Sequence, residues 1–66
     1  MGIEKLSYSA LREIIDNRVP LGCFYAYYGG VFVAVDNQTG EAWTECFNSL
    51  DSCKKWLAGE FEVGDK

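Results

Sequence analysis

The chain has 66 residues, of which 48 % are hydrophobic and 15 % aromatic, and a formal net charge of −4. That length holds one domain with a thin core, and that hydrophobic content excludes an intrinsically disordered chain. The acidic balance repels phosphate backbones and argues against duplex nucleic acid as a partner.

The first predicted element is a helix from Ser7 to Asn17. Ser7 is a good N-cap, and Leu6 and Leu11 have the spacing of a hydrophobic staple. Leu11, Ile14 and Ile15 recur at three and four and make one apolar stripe, with Arg12, Glu13 and Asp16 on the other side. Pro20 cannot continue the helix and pushes Val19 toward extended geometry.

Three strands follow: Gly22–Tyr28, Val31–Asp36 and Glu41–Phe47. The first two are rich in Tyr, Phe and Val, as a pleated, half-buried surface prefers. Gly29-Gly30 between them reads as a two-residue hairpin loop of type I′ or II′, because glycine takes positive φ without steric cost. Asn37-Gln38-Thr39-Gly40 reads as a second, four-residue turn. All links are short, so the sheet is expected to be an antiparallel meander.

The last predicted element is a helix from Leu50 to Ala58, capped by Asn48 or Ser49, with the stripe Leu50, Cys53, Trp56 and Leu57. Asp51 and Lys54-Lys55 suit its macrodipole, and Gly59 suits the left-handed position after its end. Residues 60–66 read as a frayed tail. The expectation is therefore an α+β fold, helix – three-stranded antiparallel meander – helix, over a single domain spanning 1–66.

The two turns sort the strand residues by face. One face is mainly aliphatic: Ala26, Val31, Val33, Val35 and Ala42, with Phe24 and Tyr28 at its border. The other is aromatic and carries Tyr25, Tyr27, Phe32 and Trp43, together with Cys23, Ala34 and Glu45. Two helices with one stripe each are expected to lie on one face, the aliphatic one, and to leave Tyr25, Tyr27, Phe32 and Trp43 as a candidate binding surface. The first and third predicted strands are then both sheet edges, guarded only by Glu41 and Glu45.

Catalytic chemistry finds little to work with. The chain has no histidine, which removes the commonest general base and the commonest metal ligand together. Cys46 and Cys53 read as small buried hydrophobes, and no C-x-x-C spacing points to zinc. Glu41 and Glu45 lie about 13 Å apart along an extended strand, beyond the reach of paired-carboxylate chemistry. No phosphate-binding glycine loop is present. A non-catalytic protein with no cofactor and no metal is expected.

Three cysteines cannot all pair within one chain, and Met1–Leu6 is too short and polar for the apolar core of a secretion signal. The longest apolar run, Val31–Val35, is too short to span a bilayer. A cytoplasmic protein with reduced thiols and no membrane contact is expected from these points.

The order helix, three antiparallel strands, helix over residues 7–58 resembles the double-stranded-RNA-binding domain, whose last helix begins with basic residues that meet phosphates. Here Asn48, Ser49, Leu50 and Asp51 occupy that position and only Lys54-Lys55 follow. No binding residue carries over from the resemblance.

Two functions remain. One is a protein-interaction module, working through the aromatic face or an edge strand. Its partner is a second copy or another protein; one version, with ten acidic residues against six basic, is an inhibitor of a basic partner. The other is a platform that stacks a sugar or single-stranded nucleic acid on Tyr25, Tyr27, Phe32 and Trp43. Gly22–Phe47 contains no Lys or Arg to hold phosphates.

Overall fold

Gly29 and Gly30 take φ of 64° and 86°. Both signs are positive, as a type I′ turn requires. The turn sets Tyr28 opposite Val31, Tyr27 opposite Phe32, Ala26 opposite Val33 and Phe24 opposite Val35, the register expected from the sequence. Around this hairpin the computed structural model, which describes residues 2–59, builds β1 (Ile3–Lys5), α1 (Tyr8–Asn17), β2 (Gly22–Tyr28), β3 (Val31–Asn37), β4 (Trp43–Phe47) and α2 (Leu50–Leu57). The expected tail, 60–66, lies outside the described residues. The α+β class and the helix–meander–helix order hold.

The sheet has a fourth strand. β1 pairs with β2 in parallel, Ile3 with Cys23 through Lys5 with Tyr25, and the strand order is β1-β2-β3-β4. The Leu6 amide then donates to the Tyr25 carbonyl at 2.8 Å. β2 is therefore an interior strand, not the edge expected of it, and the chain no longer has the element order of the double-stranded-RNA-binding domain.

The helices also divide between the two faces of the sheet, instead of sharing the aliphatic one. Leu11 and Ile14 of α1 pack with Phe24, Ala26, Val33 and Val35. Cys53 and Leu57 of α2 pack on the opposite face with Cys23, Tyr25 and Ala34. The cause is the composition of β2 and β3, which are apolar on both sides. Each inner strand has two faces to remove from water, and one helix stripe per face removes more apolar surface than two stripes on one face.

Helix ends follow the sequence signals. The Ser7 hydroxyl accepts from the Ala10 amide at 3.2 Å, and the Ser49 hydroxyl accepts from the Ser52 amide at 3.2 Å. α1 stops at Arg18, which takes a left-handed φ of 64° while its amide donates to the Ile14 carbonyl. Tyr8 stacks on Tyr28 with centroids 4.1 Å apart and rings 7° from parallel. That stack ties the start of α1 to the hairpin end of the sheet.

The β3–β4 connection is longer than the expected turn. Pairing closes at Asp36 with Trp43, and Val35 faces Thr44 where Ala42 was expected. The shift is two residues, so every side chain keeps its face. Asn37 explains the extra length. It is fully buried; its Nδ2 donates to the Pro20 carbonyl at 2.8 Å and its Oδ1 accepts from the Ala42 amide at 3.0 Å. One side chain thus stitches the segment after α1 to the loop before β4.

Two stability outcomes follow. Asn37→Ala strands a carbonyl and an amide in a part-buried site and is expected to cost about 2–3 kcal/mol in urea unfolding; a cost no larger than that of an exposed Asn→Ala change removes the stitching role. Arg18→Gly relieves a side chain held at positive φ and is expected to stabilise by about 0.5–1 kcal/mol in the same measurement.

Candidate functional site: the uncovered edge strand

α2 reaches part of the aromatic face and separates the four candidate residues. Tyr25 is 8 % exposed and belongs to the core under α2. Phe32 is half-buried against the same core and lies between Tyr25 and Tyr27, with ring centroids 6.4 and 4.7 Å away. Tyr27 and Trp43 remain open, at 57 % and 61 %. They do not form one patch. Tyr27 is in the row of Phe32 and Phe47 at the hairpin end, whereas Trp43 is opposite Asp36 near the other end, on β4. That places them about 13 Å apart along the strands and about 10 Å across them.

The open part of the sheet is β4. Trp43, Thr44, Glu45 and Cys46 are all exposed. No described element roofs either face of these residues, because α1 packs over β2 and β3 and α2 centres on Cys23, Tyr25 and Ala34, touching β4 at its far end, where Phe47 meets Trp56 at 5.8 Å. Among the described residues β4 also ends the sheet, so no described strand lies outside Trp43–Cys46. Strand alternation puts Trp43 and Glu45 on the α2 side and Thr44 and Cys46 on the α1 side. The sequence reading found Trp43 and named Glu45 as an edge guard. It missed Thr44 and Cys46 as exposed neighbours, for want of any signal that α1 stops short of β4.

The charge around β4 has one sign. Between Val19 and Cys53 the chain has no Lys or Arg, and its charged residues are Asp36, Glu41, Glu45 and Asp51. Asp51 pairs with Lys55 at 3.3 Å on the surface of α2. Asp36, Glu41 and Glu45 have no ion-pair partner among the described residues; Asp36 Oδ1 accepts from the main-chain and side-chain nitrogens of Gln38.

The cysteines split. Cys53 is buried, as expected; Cys46 is exposed, against expectation, because it points to the side of β4 that α1 does not cover. Cys23 is buried too, and its thiol donates to the Leu57 carbonyl at 3.6 Å. Burial pushes the Cys23 thiol up, helped by the nearby Asp36 carboxylate, and burial pushes the Cys53 thiol up against a smaller opposing pull from Lys54. Neither thiol is held as a thiolate nucleophile. No cluster of His, Cys, Asp and Glu that could hold a metal occurs among the described residues.

Two concavities lie elsewhere. One, of about 300 Å³, lies between Ile3, Cys23, Gln38 and Leu57. The other, of about 440 Å³, runs between α1 and the sheet over Leu6, Ile14 and Phe24, with Val19 exposed at its rim. Among the described residues no helix is long and apolar enough to cross a membrane.

The structure thus defines a small, compact α+β domain with an aromatic cluster on its sheet, a feature consistent with a general interaction surface. Comparison with protein-family models, with characterised proteins and with solved structures returns no match.

Cysteine accessibility is directly measurable. Iodoacetamide is expected to alkylate Cys46 alone in the folded protein and all three thiols in urea, read by intact mass; native labelling of Cys53 would contradict its burial. Unfolding frees Cys23 and Cys53 to ionise from their ordinary value of 9.0. Their folded values are higher, so the stabilisation is complete below that pH and is lost as pH rises through the folded values. Urea midpoints are expected to fall above it, and less steeply in Cys53→Ala.

Proposed function

We propose that this domain is a non-catalytic protein-interaction module that takes an extended segment of another chain onto the free edge of β4. The observation that carries the reading is the state of Trp43–Cys46 in β4: no described strand lies on their outer side, and their side chains are exposed on both faces. Strand addition draws affinity from main-chain hydrogen bonds and specificity from alternate side chains. An interior strand such as β3 cannot offer this, because both of its neighbours are in place.

A second copy of the chain is a less favoured occupant. Antiparallel pairing of two β4 strands centred on Glu45 sets two carboxylates directly opposite each other, and like charges so placed are destabilising. A stacking platform for sugars or single-stranded nucleic acid has less support. Tyr25 is under α2, and Tyr27 and Trp43 are on strands that are not neighbours.

Peptides selected from a random displayed library test this reading by amide chemical shifts of labelled protein. Shifts concentrated on Trp43–Phe47, with slowed amide exchange there and the mass of one protein chain plus peptide, are expected. Ligands that perturb Tyr27 and Phe32, or the groove over Phe24, and leave β4 untouched would sink it.

A further inference from the structure

We infer that the segment received by β4 is basic, an extended strand with Lys or Arg at alternate positions that meet Trp43 and Glu45. The inference rests on the reading of β4 as a docking edge and adds the chemistry of the partner.

Three observations lead there. Trp43 and Glu45 are two residues apart on one strand and share a face, flanked by Asp36 opposite Trp43 and by Glu41 just before β4. None of these three carboxylates has an ion-pair partner among the described residues. The stretch that forms the hairpin, the loop and β4 contains no cation to compensate them. An unpaired carboxylate on an edge strand repels an acidic segment and gains from a cationic one.

The geometry of strand addition sets the spacing. A strand laid outside β4 runs about 4.8 Å away and alternates its side chains with the same period of two. The residue opposite Glu45 therefore lies on the α2 side, where a Lys or Arg makes a cross-strand ion pair. The residue opposite Trp43, two positions away on the incoming strand, lies on the same side. A cation there sits over an indole face that is open to solvent, within cation–π range. Asp36 lies behind that indole on β3 and adds to the negative potential. The intervening residue lies opposite Thr44, and the one beyond Glu45's partner lies opposite Cys46, both on the α1 side, where small, uncharged side chains leave the choice open. The whole protein's charge of −4 steers such a segment inward from a distance.

Three short capped peptides of one sequence test the inference, with Lys, Gln or Glu at the alternate positions and Val or Thr between them. Binding is followed by calorimetry and by the amide shifts of β4. The Lys peptide is expected to bind best, the Glu peptide to show no binding, and the Lys–Gln difference to shrink as salt screens it. Glu45→Gln and Trp43→Ala each alter an exposed side chain and are expected to lower the affinity for the Lys peptide about two- to five-fold. Glu45→Gln should leave the affinity for the Gln peptide nearly unchanged. Equal binding of the Lys and Gln peptides at β4 overturns the basic partner and leaves the docking edge standing. If no peptide moves the β4 amides, both readings fall.

Discussion

The constraint on which the rest of this structure depends is that the β2–β3 hairpin is apolar on both sides. Its register is held by a two-glycine turn, and that register gives Phe24, Ala26, Val33 and Val35 to one face and Cys23, Tyr25 and Ala34 to the other. A short chain cannot leave either face in water. With only two helices available, each must roof one side, so the domain becomes three layers thick around two strands. β1 then closes the outer side of β2 with three residues, and of β4 only Phe47 packs against the core.

That packing leaves the rest of β4 exposed. Its inner side extends the ladder to β3, and Phe47 meets α2 through Trp56, which fixes the strand in place. The remaining residues contribute little buried surface. A strand fixed by its ladder and by Phe47, with Trp43–Cys46 exposed, is pre-organised for the pairing proposed above; little conformational entropy remains to be lost when a partner strand arrives. The loop that feeds it is held in the same way. Asn37 ties that loop to Pro20, so the start of β4 is positioned by the sheet's own far end and not by a flexible turn.

Much of this was legible in the residues. Paired glycines between two β-rich runs give the hairpin and its register, serines before apolar stripes give both helix starts, and the stripes name Leu11, Ile14, Cys53 and Leu57 as core. Face sorting was right even though the β3–β4 loop was not, since a shift of two residues preserves sidedness. β1 was hidden because three residues carry no periodicity and their partner strand begins almost twenty positions later. Asn37 looked like a turn residue because its type favours turns; only the fold brings Pro20 to its side chain. The division of the helices was misjudged by counting faces on the aromatic side as optional. Tyr25 and Ala34 are interior residues of interior strands, and burial was obligatory there.

The two edges of the sheet show how the same problem is met in different ways. β1 guards its side by being short and by carrying Glu4 and Lys5, one charge of each sign, which gives an approaching strand no consistent pattern to match. β4 is longer, and its guards are all acidic. Charges of one sign disfavour pairing with a strand of like charge, and on the proposed reading they leave a complementary strand unopposed. On that reading, negative charge on this edge serves both as a defence against aggregation and as a filter on partners. Trp43 separates the two roles: solubility alone gives no reason to set a large indole, 61 % exposed, among those carboxylates, whereas recognition of a cationic side chain uses both.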